Sequence, residues 1–260
     1  MTILDQIIVT KRQEIAVSKD RVSEHRLKEM SLFERPCYSL NDSLLNPSKN
    51  GIIAEFKRAS PSKGWINQHS EVQEVVKGYQ HAGVSAISVL TDTTYFKGNL
   101  TDLVAAREVL QIPLLRKEFI VDPYQITEAK AYGADVILLI AAVLTPEEID
   151  SLSAYAKSLG LSVLLEIHNL EELTPNLHDT VDAIGVNNRN LHDFSVSIQH
   201  SIDLAPHIPN QYQKVSESGI SDPEVIQTLK AHGFNGYLIG ENFMKTEDPG
   251  ASIQAFVTSI

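Results

Sequence analysis

From residue 51 onward, short and nearly continuous apolar runs alternate with longer stretches in which apolar residues recur every three to four positions. Eight such runs follow one another: IIAEF (52–56), AISVLTD (86–92), PLLRKEF (113–119), VILLIAAV (136–143), SVLLEIH (162–168), AIGVNN (183–188), QKVSES (213–218) and GYLIG (236–240). Their length predicts strands, and their continuity predicts strands covered on both faces rather than on one. The stretches between them carry helix starts. Asp122-Pro123, Thr145-Pro146-Glu147-Glu148 and Ser221-Asp222-Pro223-Glu224 each set a capping side chain ahead of a first-turn proline, and the acids lie where the helix dipole favours them. Gly83, Gly133, Gly160 and Gly233 each fall just ahead of the next run, where a helix end calls for left-handed backbone.

Strand and helix in alternation imply parallel pairing with right-handed crossovers, and eight such units predict an α/β fold closed on itself, a (β/α)8 TIM barrel. A doubly wound open sheet is the competitor; eight evenly spaced runs and the lack of a dinucleotide-binding glycine pattern favour the barrel. Residues 1–50 stand outside the repeat. Ile3, Leu4, Ile7, Ile8 and Ile15 lie at roughly helical spacing, which predicts one or two amphipathic helices packed on the barrel. A loop, NDSLLNPSKN, then leads into the first strand. The expected division is an N-terminal helical extension over 1–50 and a single catalytic barrel over 51–260.

Charge narrows the partners. Twenty-two Lys and Arg against 33 Asp and Glu give a net charge of −11, so the overall field repels nucleic acid and anionic membrane surfaces, and neither is an expected partner. Up to Arg35 the extension holds seven basic and six acidic residues, so the acidity belongs to the barrel. The single cysteine, Cys37, forms no intramolecular disulfide and fits a reducing compartment. The longest apolar run, Val136 to Leu144, is about half the length of a membrane-spanning helix, and MTILDQIIVTKRQE lacks the basic-then-apolar order of a signal peptide. A cytoplasmic location is expected. The nine histidines show no H-x-x-x-H or H-E-x-x-H spacing and no Cys/His cluster exists, so no metal site is expected.

A barrel of this kind carries its chemistry at the carboxyl ends of its strands. Polar residues interrupt the runs there: Glu55 and Lys57 on the first, Lys117 on the third, Glu166 on the fifth, Asn187 and Arg189 on the sixth, Glu217 and Ser218 on the seventh. A charge aimed into a closed barrel costs several kcal/mol unless it is paired, and Glu55 and Lys57, two apart, face the same way. Taken singly, each reads equally as a solvent-capped strand end. Their recurrence on strand after strand is the signal for a site. Gly219 and Gly240 close the seventh and eighth runs, where barrels commonly bind phosphate through backbone N–H groups and a short extra helix; a plain turn is the other reading. His168, two residues beyond Glu166, either joins the ring or is structural. Trp65 and Phe119 either flank an aromatic substrate or pack in the core.

Six segments in order, IIAEFKRASPSKG (52–64), LLRKEFIVDPYQITEAKAYGADVILLIAAVL (114–144), LLEIHNLEEL (164–173), IGVNNRNL (184–191), SESGI (216–220) and LIGENFM (238–244), closely resemble the indole-3-glycerol phosphate synthase family of tryptophan biosynthesis. The resemblance runs over nearly the whole chain, the N-terminal segment included. It implies a monofunctional carboxy-lyase that closes the ring of 1-(2-carboxyphenylamino)-1-deoxyribulose 5-phosphate and releases CO₂ and water, without metal or organic cofactor. It further implies that Lys117 is the general acid at the ketone oxygen and Glu166 an acid/base for dehydration. Lys57 would serve the phosphate and, in some schemes, proton transfer, so which of Lys57 and Glu166 completes the dehydration stays open. By the same resemblance Glu55 and Asn187 orient these groups. Ser60, Arg189, Phe119 and Glu217 contact substrate, and Ser218, Gly219, Gly240 and Glu241 form the phosphate loops. The implied partner is a phosphorylated small molecule; contact with other tryptophan-pathway enzymes is not specified. Two further readings are a phosphosugar isomerase and a non-catalytic phosphometabolite-binding barrel, and neither requires the joint ring of Glu55, Lys57, Lys117 and Glu166.

Overall fold

The computed structural model describes residues 2–190 and 194–260. Eight strands, β1 (Ile52–Phe56), β2 (Ala86–Leu90), β3 (Leu114–Lys117), β4 (Val136–Ile140), β5 (Ser162–Ile167), β6 (Ala183–Asn187), β7 (Gln213–Glu217) and β8 (Gly236–Ile239), close into a barrel. Each pairs in parallel with the next in sequence, and β8 returns to β1 through Ile52↔Tyr237 and Ala54↔Ile239. The architecture is the (β/α)8 TIM barrel. Alternate residues explain the unbroken apolar runs. Ile53, Leu115, Leu138, Leu164, Val215 and Leu238 fill the interior, while Ile52, Ala54, Ile87, Leu139, Val163 and Ile184 pack outward with the helices.

The helix starts form where the sequence places them. Asp122 and Asp222 accept from the amides of Tyr124 and Glu224, and Thr145 makes a reciprocal capping box with Glu148. Gly83, Gly133, Gly160 and Gly233 all have positive φ, from 77° to 90°, a conformation that glycine adopts without strain. The strands are shorter than the apolar runs, because the last residues of most runs leave the ladder as the chain turns into the loops that line the barrel mouth. Asp92, for instance, accepts from the amides of Tyr95 and Phe96.

Three helices precede β1: α1 (Ile3–Arg21), α2 (Glu24–Lys28) and α3 (Leu40–Leu44). The last corrects the expected loop. Ser39 caps it by accepting from the amide of Asp42, and Leu40 and Leu44, one turn apart, both bury in the same cluster as the barrel's interior residues. On α1 the buried stripe is Ile7, Lys11 and Ile15. Lys11 reaches Asp92 and Glu118 at 3.0 Å each and Glu14 at 2.6 Å, so α1 crosses the carboxyl ends of β2 and β3. Burial opposes the charge on Lys11, but Glu118 and Asp92 outweigh it and hold its pKa above the ordinary lysine value. None of the described helices is long and apolar enough to cross a membrane.

Candidate active site

A cavity of about 220 Å³ opens at the carboxyl ends of the strands. One wall is apolar, built from Leu90, Phe96, Phe119, Leu138 and Ile140, and Ile3, Leu4 and Ile7 of α1 complete it. A neighbouring pocket of about 200 Å³ shares Glu55, Lys57, Arg189 and Ser218 with it and extends over Gly219, Gly240 and Lys245. An elongated ligand with an apolar ring and a polar tail fits this shape.

Lys117 lies at the centre. Its Nζ donates to Glu217 Oε2 at 2.6 Å and to Glu166 Oε2 at 3.2 Å. Glu166 Oε1 accepts from Asn187 Nδ2 at 3.0 Å, and Asn187 Oδ1 accepts from Ser218 Oγ and from the amide of Arg189, both at 3.0 Å. The chain of contacts thus ties β3, β5, β6 and β7 around one ammonium. Lys57 forms a second pair, 2.8 Å from Glu55 Oε1.

Burial acts on these groups unequally. It disfavours the charge on Lys117, but Glu217, Glu166 and Glu55 more than compensate and raise its pKa above the ordinary value. Burial pushes Glu217 up to about 7 despite the pull of Lys117, with Glu166 adding repulsion. Glu166 is also desolvated, yet Lys117, His168 and the Asn187 hydrogen bond prevail and lower its pKa. One ammonium and two carboxylates of opposite tendency make a site that holds a proton on one carboxyl while keeping the other ionised.

Backbone makes room for these carboxylates. A Cβ added at Gly185 would sit 2.3 Å from Glu217 Oε1, and one at Gly240 would sit 2.5 Å from Glu55 Oε1. Ser218 and Gly219 take positive φ in succession, 69° and 77°, and Gly240 leads directly into a short helix, Glu241–Met244. These two turns face the second pocket.

All the residues that the resemblance assigns to the site border one of the two pockets: Glu55, Lys57, Ser60, Lys117, Phe119, Glu166, Asn187, Arg189, Glu217, Ser218 and Glu241 the first, Gly219 and Gly240 the second. His168 borders the first as well. Trp65 borders neither; it lies half-exposed in a two-residue hairpin with Ala59. The motif ending at Leu191 runs past the described residues at its last position. Sequence reasoning missed Gly185, whose signal was a glycine inside an apolar strand. It also missed the apolar wall from α1, whose isoleucines read as packing alone, and Lys245, which no motif marks. Among the described residues no three His, Cys, Asp or Glu side chains are arranged to hold a metal ion.

A model of the indole-3-glycerol phosphate synthase family matches residues 4–256. The chain is 48% identical over 258 residues to indole-3-glycerol phosphate synthase of Bacteroides thetaiotaomicron, spanning 99% of this chain and 98% of that one. It is 38% identical to the enzyme of that name from Bordetella pertussis, spanning 98% of each. Among solved structures, 3-hexulose-6-phosphate synthase from Salmonella typhimurium superposes with a TM-score of 0.63 at 12% identity, over 80% of this chain and 97% of that one. A chain of the tryptophan synthase complex from Pyrococcus furiosus gives 0.60 at 13%, over 82% and 98%. At those identities the likeness is one of fold.

Proposed function

The chain belongs to the indole-3-glycerol phosphate synthase family, and we propose that Lys117, Glu166 and their neighbours carry that family's ring closure in this protein. The substrate, 1-(2-carboxyphenylamino)-1-deoxyribulose 5-phosphate, is a flexible chain that must fold so that its ring carbon meets its ketone. The apolar wall with Phe119 suits the carboxyphenyl ring. Lys57, Ser218, Gly219, Gly240 and Glu241, the last two through backbone N–H groups, suit the phosphate. Fixing both ends prepares the encounter and supplies much of the rate. Ser60 and Arg189 meet the remaining polar groups.

The single observation that carries the reading is Lys117 held between Glu217 and Glu166. As the ring carbon attacks, the ketone oxygen gains negative charge, and the Lys117 ammonium donates a proton to it. Loss of CO₂ restores the aromatic ring. The new hydroxyl then takes a proton from the Lys57 ammonium, which borders the same cavity, and departs as water while a proton leaves the adjacent methylene carbon, which completes the indole. Glu166, kept ionised, takes that proton. Lys57, tied to Glu55 and bordering the second pocket, serves the phosphate end. Asn187 holds Glu166, and Glu55 holds Lys57. Each step is a proton transfer or the making or breaking of a bond within the substrate, so no covalent enzyme intermediate is needed.

The test is direct. Purified protein with the carboxyphenylamino-deoxyribulose phosphate in chelator-treated buffer is expected to generate indole fluorescence, and a folded protein that stays silent refutes the assignment. Lys57→Met is expected to raise KM for the same substrate at least about tenfold, as loss of a charged contact does; an unchanged KM removes Lys57 from the phosphate end.

A further inference from the structure

His168 lies at the end of β5, two residues beyond Glu166, and borders the reaction cavity. Its side chain is buried to nearly nine-tenths, and its two ring nitrogens have different surroundings. Nδ1 is 3.3 Å from Glu172 Oε2, a carboxylate that also accepts the amide of His168 at 2.8 Å. Glu172 is itself fixed, because Asn169 caps its amide and donates to its other oxygen. Nε2 is buried without a hydrogen-bond partner and lies 3.7 Å from Glu166 Oε1, the oxygen that Asn187 holds.

We infer that His168 is a positioning residue for the reaction: an imidazolium, anchored by Glu172, whose free Nε2–H faces Glu166 and keeps that carboxylate ionised and ready to take a proton. The inference rests on the assignment of Glu166 as the base. The charges facing the imidazole are Glu166 on β5, Glu172 on the short helix Leu170–Leu173 and Glu217 on β7, with Lys117 on β3 beyond Glu166. Glu166 and Glu172, with Glu217 adding to them when ionised, outweigh one more distant ammonium and favour the protonated ring. Burial works against its charge, but Glu172 and Glu166 outweigh that and raise its pKa. The unmade contact to Glu166 is the signature of a charge acting through space. A purely structural histidine would be expected to satisfy both nitrogens, since leaving a buried one unmet is costly.

The sign is fixed by the geometry. A positive neighbour lowers the pKa of Glu166, so removing it moves the acid limb of kcat/KM to higher pH. His168→Asn keeps a group able to reach Glu172 but loses the charge and Nε2. The expected result is an acid limb shifted upward by at least about half a pH unit, with kcat falling only on that limb, by up to about threefold, and KM little changed. The substrate's own ionisations are common to both proteins and cancel in the comparison. An acid limb that does not move overturns the inference, whatever happens to thermal stability. Histidine ¹⁵N NMR of the unaltered protein gives a second reading that needs no variant: a His168 ring already neutral at pH 7 also overturns it. Glu166→Gln separates the two ideas. If that variant turns over normally, the base assignment fails. If it is inactive while His168→Asn leaves the pH profile unchanged, only the role of His168 fails.

Discussion

At the residue scale the site is governed by how one buried ammonium is shared. Lys117→Ala leaves Glu166 and Glu217 without their cation and, on the proposed assignment, the ketone without its acid, so kcat is expected to fall at least about 10²-fold, with far-ultraviolet circular dichroism unchanged. Normal turnover by that variant would remove Lys117 from the mechanism. Glu217 gives a pH prediction. Its folded pKa is raised to about 7, mainly by burial, so between its unfolded value and about pH 7 the folded protein binds more protons than the unfolded chain. From this group stability therefore falls as pH rises through that window, by at most about 3 kcal/mol. Glu217→Gln cannot ionise, so its melting temperature relative to the parent is expected to rise from pH 5 to pH 8; a difference that is flat with pH contradicts the raised pKa. These residues were legible in the sequence because charges inside apolar runs demand partners. Which charge pairs with which was not legible, since Lys117, Glu166 and Glu217 meet only when β3, β5 and β7 converge across the closed barrel.

At the element scale, glycines and α1 shape the site. In β6 the absence of a side chain at Gly185 leaves the space that Glu217 Oε1 occupies. Gly185→Ala is expected to push that carboxylate off Lys117 and lower kcat at least about tenfold, because the Lys117 ammonium loses a partner that holds it and a misplaced acid costs rate steeply even when binding survives; unchanged kcat would mean that Glu217 has another place to go. Helix α1 is fastened by Lys11, whose removal strands Asp92 and Glu118. Lys11→Met is expected to destabilise the fold by about 3–5 kcal/mol, the usual cost of breaking a buried pair, and to raise KM as Ile3, Leu4 and Ile7 lose their place in the cavity wall. Urea unfolding and steady-state kinetics on one preparation check both parts. The barrel strands could be read from their apolar continuity and the helix boundaries from caps and glycines. Helix α1 was readable as a helix, but its apolar stripe is interrupted by a buried lysine whose partners lie about 80 and 107 residues away, which no local pattern can encode. Helix α3 escaped because two buried leucines inside a polar, asparagine-rich stretch look like a loop until the barrel supplies the surface that covers them.

At the scale of the whole molecule the net charge of −11 and the proposed substrate, which carries a phosphate and a carboxylate, have the same sign. Long-range attraction therefore does not bring the substrate in. On the proposed assignment binding comes from Lys57, Lys117, Arg189 and backbone donors acting at contact distance, with Lys245 bordering the second pocket. The two kinds of interaction answer differently to salt. A field that acts over many ångströms is largely screened once the Debye length drops to about 8 Å at physiological ionic strength, whereas partly buried contacts are screened much less. Raising KCl from about 10 mM to about 150 mM removes the repulsion of the acidic surface and leaves the local contacts mostly intact, so kcat/KM is expected to hold within about twofold or to rise. A fall of about tenfold would be the behaviour of a site fed by electrostatic steering, and it would place a positive approach path on a surface whose composition opposes one. Lys57→Met, in contrast, should lose affinity at both salt concentrations, because it removes a contact rather than a field.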